Sequence, residues 1–137
     1  MTRLLPALAL TLTAFLAAAA ALADDRMTAE EFEDYTTGQT LTFSFHGVPY
    51  GVEQYLPGRR VIWAFMGDSC QEGSWYEADG NICFVYDHAP VEPQCWSFWR
   101  TEDGLRALFA GEGSTTELYE VQRSRTPLIC EGPDVGV

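Results

Sequence analysis

Residues 82–100, ICFVYDHAPVEPQCWSFWR, gather two cysteines, a histidine and an aspartate among aromatic side chains. Three chemistries use such a set. Cys83, His88 and Cys95, with Asp87 in reserve, are donors that zinc accepts. Two cysteines can also form a redox pair, or a structural disulfide across paired strands. Spacing separates these readings. Successive cysteines stand 13, 12 and 35 positions apart (Cys70, Cys83, Cys95, Cys130), so no C-x-x-C occurs. That spacing disfavours both a zinc site and a thioredoxin-like centre.

The disulfide reading follows from register. A hairpin symmetric about residue 89 sets Cys83 opposite Cys95 and Ile82 opposite Trp96. Asp79-Gly80 is a two-residue hairpin signal, because both central positions favour positive φ, and it independently sets Trp75 opposite Phe84. The two registers place Phe84 and Phe98 on one side, and they agree. Cys70 and Cys130 then form the second bridge, chosen from three possible connectivities.

Other catalytic constellations are thin. His46 beside a turn and His88 in a Pro-flanked loop are candidate general bases. No G-x-S-x-G elbow, phosphate-cradling glycine loop or EF-hand pattern accompanies them. Glu53, Glu72 and Glu77 lie on strand-like segments and suggest a glycosidase pair only weakly, since the chain has 20 acidic residues. A small hydrolase using His46 or His88 with a carboxylate is therefore the alternative function, without an assigned catalytic residue. No cofactor or metal is expected.

The aromatic residues are more informative. By alternation, Phe43, Phe45, Trp63, Trp75, Phe84, Trp96, Phe98 and Phe109 map to one face. Tyr55, Tyr76, Trp99 and Tyr119 map to the other. Outer-face aromatics suit a ligand platform or a covered seam. Tyr55, Tyr76 and Trp99, with the adjacent pair Arg59 and Arg60, are the candidate ligand-binding residues.

The elements that must position these groups begin with a helix at about 28–36. Thr28-Ala29-Glu30-Glu31 is a capping box, Gly38 is a stop, and Phe32 and Tyr35 point toward the body of the domain. Period-two alternation follows over 40–46, breaks at Val48-Pro49 and resumes over 50–55. Leu56-Pro57-Gly58-Arg59 reads as a type II turn, pairing Val52 with Trp63 and Tyr50 with Phe65. Asp103-Gly104 reads as a second two-residue turn, pairing Phe98 with Phe109. A last strand covers 116–121. The expected fold is all-β and mainly antiparallel: about eight strands in meander order, as a small barrel or strongly curled sheet, with one short N-terminal helix and two disulfides.

The N-terminus sets the expected compartment. Arg3, an apolar run over 4–22 and Ala21-Leu22-Ala23 form a signal peptide over residues 1–23, leaving residues 24–137 as one domain. A retained membrane anchor is the competing reading, and the Ala-rich run with its A-x-A site favours cleavage. The whole chain carries a net charge of −12; loss of Arg3 leaves seven arginines against 20 acids, a net of −13. Such a surface disfavours nucleic acid and anionic membranes, and it suits solubility or a cationic partner.

GVPYGVEQYLPGRRVIWAF, GSWYEADGNICFVY with QCWSFW, and the ending ICEGPDVGV resemble a family of small exported alphaproteobacterial proteins without an assigned activity. The resemblance spans most of residues 24–137. It implies export and a four-cysteine β fold, and no catalytic residues. The functional expectation is a periplasmic or secreted, non-catalytic β domain that binds a small ligand or a protein. An inhibitor of a cationic enzyme such as lysozyme is a narrower alternative. The S-G-x-x-Y inhibitor signature is missing, and Gly111-Glu112-Gly113-Ser114 reads only as a turn.

Overall fold

A computed structural model describes residues 25–130; the signal-peptide reading falls outside them. Helix α1 (Ala29–Thr36) begins at the expected capping box, with the Glu31 backbone N–H donating to Thr28 Oγ1 and the Thr28 N–H donating to Glu31 Oε2. Gly38, at φ 79°, turns the chain into the sheet. Eight strands follow: β1 (Thr40–Phe45), β2 (Val48–Leu56), β3 (Arg60–Phe65), β4 (Gln71–Ala78), β5 (Asn81–Tyr86), β6 (Gln94–Thr101), β7 (Gly104–Phe109) and β8 (Glu117–Ser124). All neighbours are antiparallel. β8 also pairs with β1, from Thr40↔Ser124 to Ser44↔Tyr119, so the meander closes into a barrel.

The strands alternate in direction, which gives the barrel two different ends. α1, the β2–β3, β4–β5 and β6–β7 turns lie at one end, called the base. The other four connections, the two-residue β1–β2 turn and the longer β3–β4, β5–β6 (Asp87–Pro93) and β7–β8 loops, lie at the other, the mouth. Phe32 is fully buried and seals the base, its ring 5.6 Å from Tyr55, 5.2 Å from Trp75, 6.4 Å from Phe84 and 4.5 Å from Phe98. Edge-to-face contacts of this kind add about 0.5–1.5 kcal/mol to the area term. Tyr35, one helical turn on, donates its hydroxyl to Glu120 Oε2 (2.8 Å), which also accepts the Leu105 N–H (2.9 Å). The buried carboxyl of Glu120 is thus fully engaged, and Arg123 stands 3.4 Å from its other oxygen.

Both disulfides form as expected. Cys83 lies opposite Cys95 in the β5–β6 ladder, and Cys70 joins Cys130. Two such bonds are those of a chain that matures in an oxidising environment. From β8 the chain returns along the outside of β2: Leu128 N–H donates to Gln54 Oε1 at 3.0 Å before Cys130 reaches Cys70 at the mouth.

The Asp79-Gly80 register holds, with Trp75↔Phe84. Two other turns differ from expectation. At β6–β7 the central pair is Glu102-Asp103, and Gly104 opens the next strand at φ 125°; Phe98 therefore faces Ala107, and Phe109 faces Trp96. That shift of two positions keeps every side chain on its expected face. At β2–β3 the loop holds three residues, since Arg59 follows Gly58 into the left-handed region (φ 59°). Leu56 pairs with Arg60 and not with Arg59. A shift of one position exchanges the two faces of a strand. Val52 pairs with Ala64, Gly51 pairs with Phe65, and Glu53 stands opposite Trp63. Tyr55, expected on the outer face, is buried inside the barrel.

Candidate functional site

The exchange of faces on β2 puts a carboxyl into the barrel interior. Glu53 is 4 % exposed. It sits in a row across three strands with Trp63 of β3 and Gln71 of β4. Its Oε2 accepts a hydrogen bond from the Tyr86 hydroxyl (3.3 Å). Its Oε1 is buried and has no hydrogen-bond partner among the described residues. Burial is the main reason its carboxyl is pushed up to about 8, with the Tyr86 hydrogen bond acting in the opposite direction. At neutral pH Glu53 is therefore mostly protonated.

This carboxyl borders a cavity of about 60 Å³ at the mouth. Phe84, Phe98 and Tyr55 line its lower part, and the same three rings rest on Phe32. Trp63 and Tyr86 flank the carboxyl. Tyr50, Phe65, Trp96, Gln71 and Gln94 complete the upper part. Tyr50, Trp63 and Phe65 pack edge to face or tilted at 5.3–6.0 Å. Phe65 is 40 % exposed, so the cavity reaches solvent beside it. An eight-stranded barrel leaves an interior just wide enough for packed side chains or one small ligand.

Two inward glycines make this packing possible. A Cβ on Gly51 would enter the Trp63 ring, and one on Gly73 would lie 2.5 Å from the Val85 carbonyl oxygen and 2.9 Å from the Tyr86 ring. Glycine on β2 and β4 therefore lets the two rings lie close to the sheet beside Glu53. The disulfides meet the same region: Cys70 precedes Gln71 and Cys95 follows Gln94.

Tyr86 and Tyr55 are both pushed up, first by burial and then by the negative charge of Glu53. Both phenols stay protonated across the physiological range. The cavity is thus lined by the Glu53 carboxyl and the phenols of Tyr50, Tyr55 and Tyr86, and by no arginine. Every arginine of the described strands and turns is engaged elsewhere: Arg59 with Glu33, Arg60 with Asp87, Arg106 with Glu117, and Arg123 with Glu120. Arg100 lies over the Tyr35 ring.

The five ligand-binding candidates read from sequence do not form one patch. Tyr55 is interior. Arg59 packs its guanidinium over Trp75 (4.4 Å) and donates to Glu33. Arg60 lies on the outer face of β3 and Tyr76 on that of β4, where Tyr76 is exposed. Trp99, on β6, lies under the Arg106 guanidinium (4.7 Å). Asp87 is held below the usual carboxylate range by Arg60. With Cys83 bonded to Cys95, neither sulfur is available to zinc. Glu72 points outward, whereas Glu77 accepts the Gly80 N–H at the base. Neither approaches Glu53. His46 and His88 are exposed, and among the described residues neither is hydrogen-bonded to a carboxylate.

The geometry defines a class: a closed eight-stranded antiparallel barrel, plugged by a helix at its base, with an aromatic cavity and a buried carboxyl at its mouth. Comparison with family models, curated proteins and solved structures returns no match.

Proposed function

We propose that this protein is an exported, non-catalytic barrel that binds a small ligand within its mouth in the periplasm. One observation carries the reading: the buried Glu53 oxygen, without a partner, borders an aromatic-lined cavity that opens beside Phe65. A buried polar atom left unsatisfied costs about 1–3 kcal/mol. A cavity lined by apolar rings with one or two converging polar groups is the usual form of a small-molecule site. The leader-like residues 1–23 and the two disulfides support maturation outside the cytoplasm.

The test is mass spectrometry of the unreduced protein taken from its own periplasm, under native and denaturing conditions. The denatured chain should begin at Asp24 and lie four hydrogens below its reduced mass. The native ion should carry added mass that denaturation removes. A chain retaining residues 1–23, or free thiols, would overturn the export reading; a bare native ion would overturn the binding reading.

A further inference from the structure

Resting on that reading, we propose that the ligand is a small organic cation: a primary alkylammonium whose charged head pairs with Glu53 and whose apolar tail leaves the cavity beside Phe65. Four observations support this class.

The first is the donor count. An ionised carboxylate only accepts hydrogen bonds, and Glu53 has one donor, Tyr86, at 3.3 Å, with Oε1 unpartnered. A primary ammonium brings three N–H donors and a compensating charge. The second is the wall. Trp63, Tyr86, Tyr50 and Trp96 present aromatic rings, whose faces attract cations. The third is the missing counter-charge: no arginine lines the cavity, and Arg59, Arg60, Arg106 and Arg123 are paired with other carboxylates while Arg100 lies over Tyr35, so none of them competes for Glu53. The fourth is long-range. A chain of net charge −12 raises the local concentration of cations around itself.

Size and polarity agree. A volume of about 60 Å³ takes an ammonium head with its first methylene groups and little more. Above it, Val48, Phe65 and Met66 are exposed apolar side chains at the mouth, and the Met66 N–H donates to the Tyr50 carbonyl (3.1 Å). They offer a surface to an aliphatic tail.

Binding is coupled to one proton. In the empty barrel Glu53 is protonated; the entering alkylammonium replaces that proton, which leaves to solvent, and an ion pair remains. The titratable groups around Glu53 are Tyr50 and Tyr55 on its own strand, Tyr86 from β5 with the His88 ring 6.2 Å from it, and, beyond Tyr55, Glu120 from β8, whose carboxyl meets Arg123, Tyr35 and the Leu105 N–H. Its flanking partners, Leu41 of β1 and Trp63 of β3, do not titrate. Tyr55 and Tyr86 are pushed up and keep their protons, so the proton exchanged inside the cavity between pH 6 and 8 is that of Glu53.

The experiment titrates the unreduced protein with n-butylammonium and with 1-butanol at pH 6, 7 and 8, following tryptophan fluorescence and calorimetry. With a carboxyl near 8, n-butylammonium affinity should rise about 50-fold from pH 6 to pH 8. The 1-butanol affinity should stay constant and be at least about tenfold weaker at pH 8. Calorimetry at pH 6 in buffers of different ionisation enthalpy should report about one proton released per ammonium bound. Glu53→Gln should abolish the ammonium preference while retaining 1-butanol binding. If 1-butanol binds as well as the ammonium at pH 8, or no proton is released, the cation assignment fails and the interior site stands. If neither probe binds at any pH, the interior site fails as well. The proton-release measurement uses the unaltered protein, so it decides even if Glu53→Gln folds poorly.

Discussion

Glu53 stands directly across the β2–β3 ladder from Trp63, with Oε1 of its carboxyl buried and unpaired beside an indole ring. An ionised carboxylate is strongly disfavoured there, so the carboxyl carries a proton at neutral pH.

Stability should therefore depend on Glu53 in a definite direction. The folded-state value, about 8, lies above the ordinary 4.5. The folded state then binds more protons than the unfolded state between those limits, and stability falls as pH rises through them. The contribution is fully present below about pH 4.5 and is lost by about pH 8, a change on the order of 3–5 kcal/mol. Urea midpoints from pH 5 to 8 should decline in the wild type and be nearly flat in Glu53→Gln. A wild-type profile as flat as the variant's would refute the assignment.

Gly73→Ala should destabilise the barrel by about 1–3 kcal/mol, because its Cβ meets the Val85 carbonyl oxygen, which backbone pairing holds in place. Gly51→Ala meets the Trp63 ring most closely, a side chain that can move, and the Ala64 carbonyl oxygen at 2.9 Å, a looser backbone contact than the 2.5 Å at Gly73. The signature of Gly51→Ala should be a shift in tryptophan emission with a smaller loss of stability. Equal losses in the two variants would show that ring and backbone yield equally.

Phe32→Ala should cost about 3–5 kcal/mol in chemical denaturation. The ring is fully buried and touches four others, so its removal leaves a void between α1 and the barrel base. A cost below about 1 kcal/mol would mean that α1 does not seal the base.

The disulfides should differ in worth. Chain-entropy arithmetic gives about 4 kcal/mol for Cys70–Cys130, separated by 60 residues, and about 3 kcal/mol for Cys83–Cys95, separated by 12. Paired serine variants of each bridge, compared by thermal unfolding, should show the longer loop as the greater loss. The reverse order would mean that the short bridge contributes through native contacts at the mouth.

Most of the fold was legible, and the reasons are local. The capping box sets α1, and Asp79-Gly80 sets the β4–β5 register that agrees with the Cys83–Cys95 pairing. Barrel closure was not legible, since alternation describes each strand and says nothing of whether β1 meets β8. The site was hidden by one residue in one loop. On β2 both faces are mixed: Gly51, Glu53 and Tyr55 alternate with Val52, Gln54 and Leu56. Pattern therefore cannot choose between them, and the loop length decides. Arg59 in a left-handed conformation lengthens the loop, which turns Glu53 and Tyr55 inward. Gln71, Gln94, Trp63 and Tyr86 then converge on a carboxyl that sequence presents only as one acid among 20.

The β1–β8 seam also sets an order of events in time. Thr40 must find Ser124, so the ladder that closes the barrel joins its first-made strand to its last. A chain synthesised from its N-terminus holds one edge of β1 open until residues 117–124 emerge, and pairing across such a distance is slow. Cys130 emerges later still, so the bond to Cys70 can only lock a barrel whose final strand has already arrived. Until then the half-built meander exposes its aromatic face and an unpaired strand edge, the state most open to self-association.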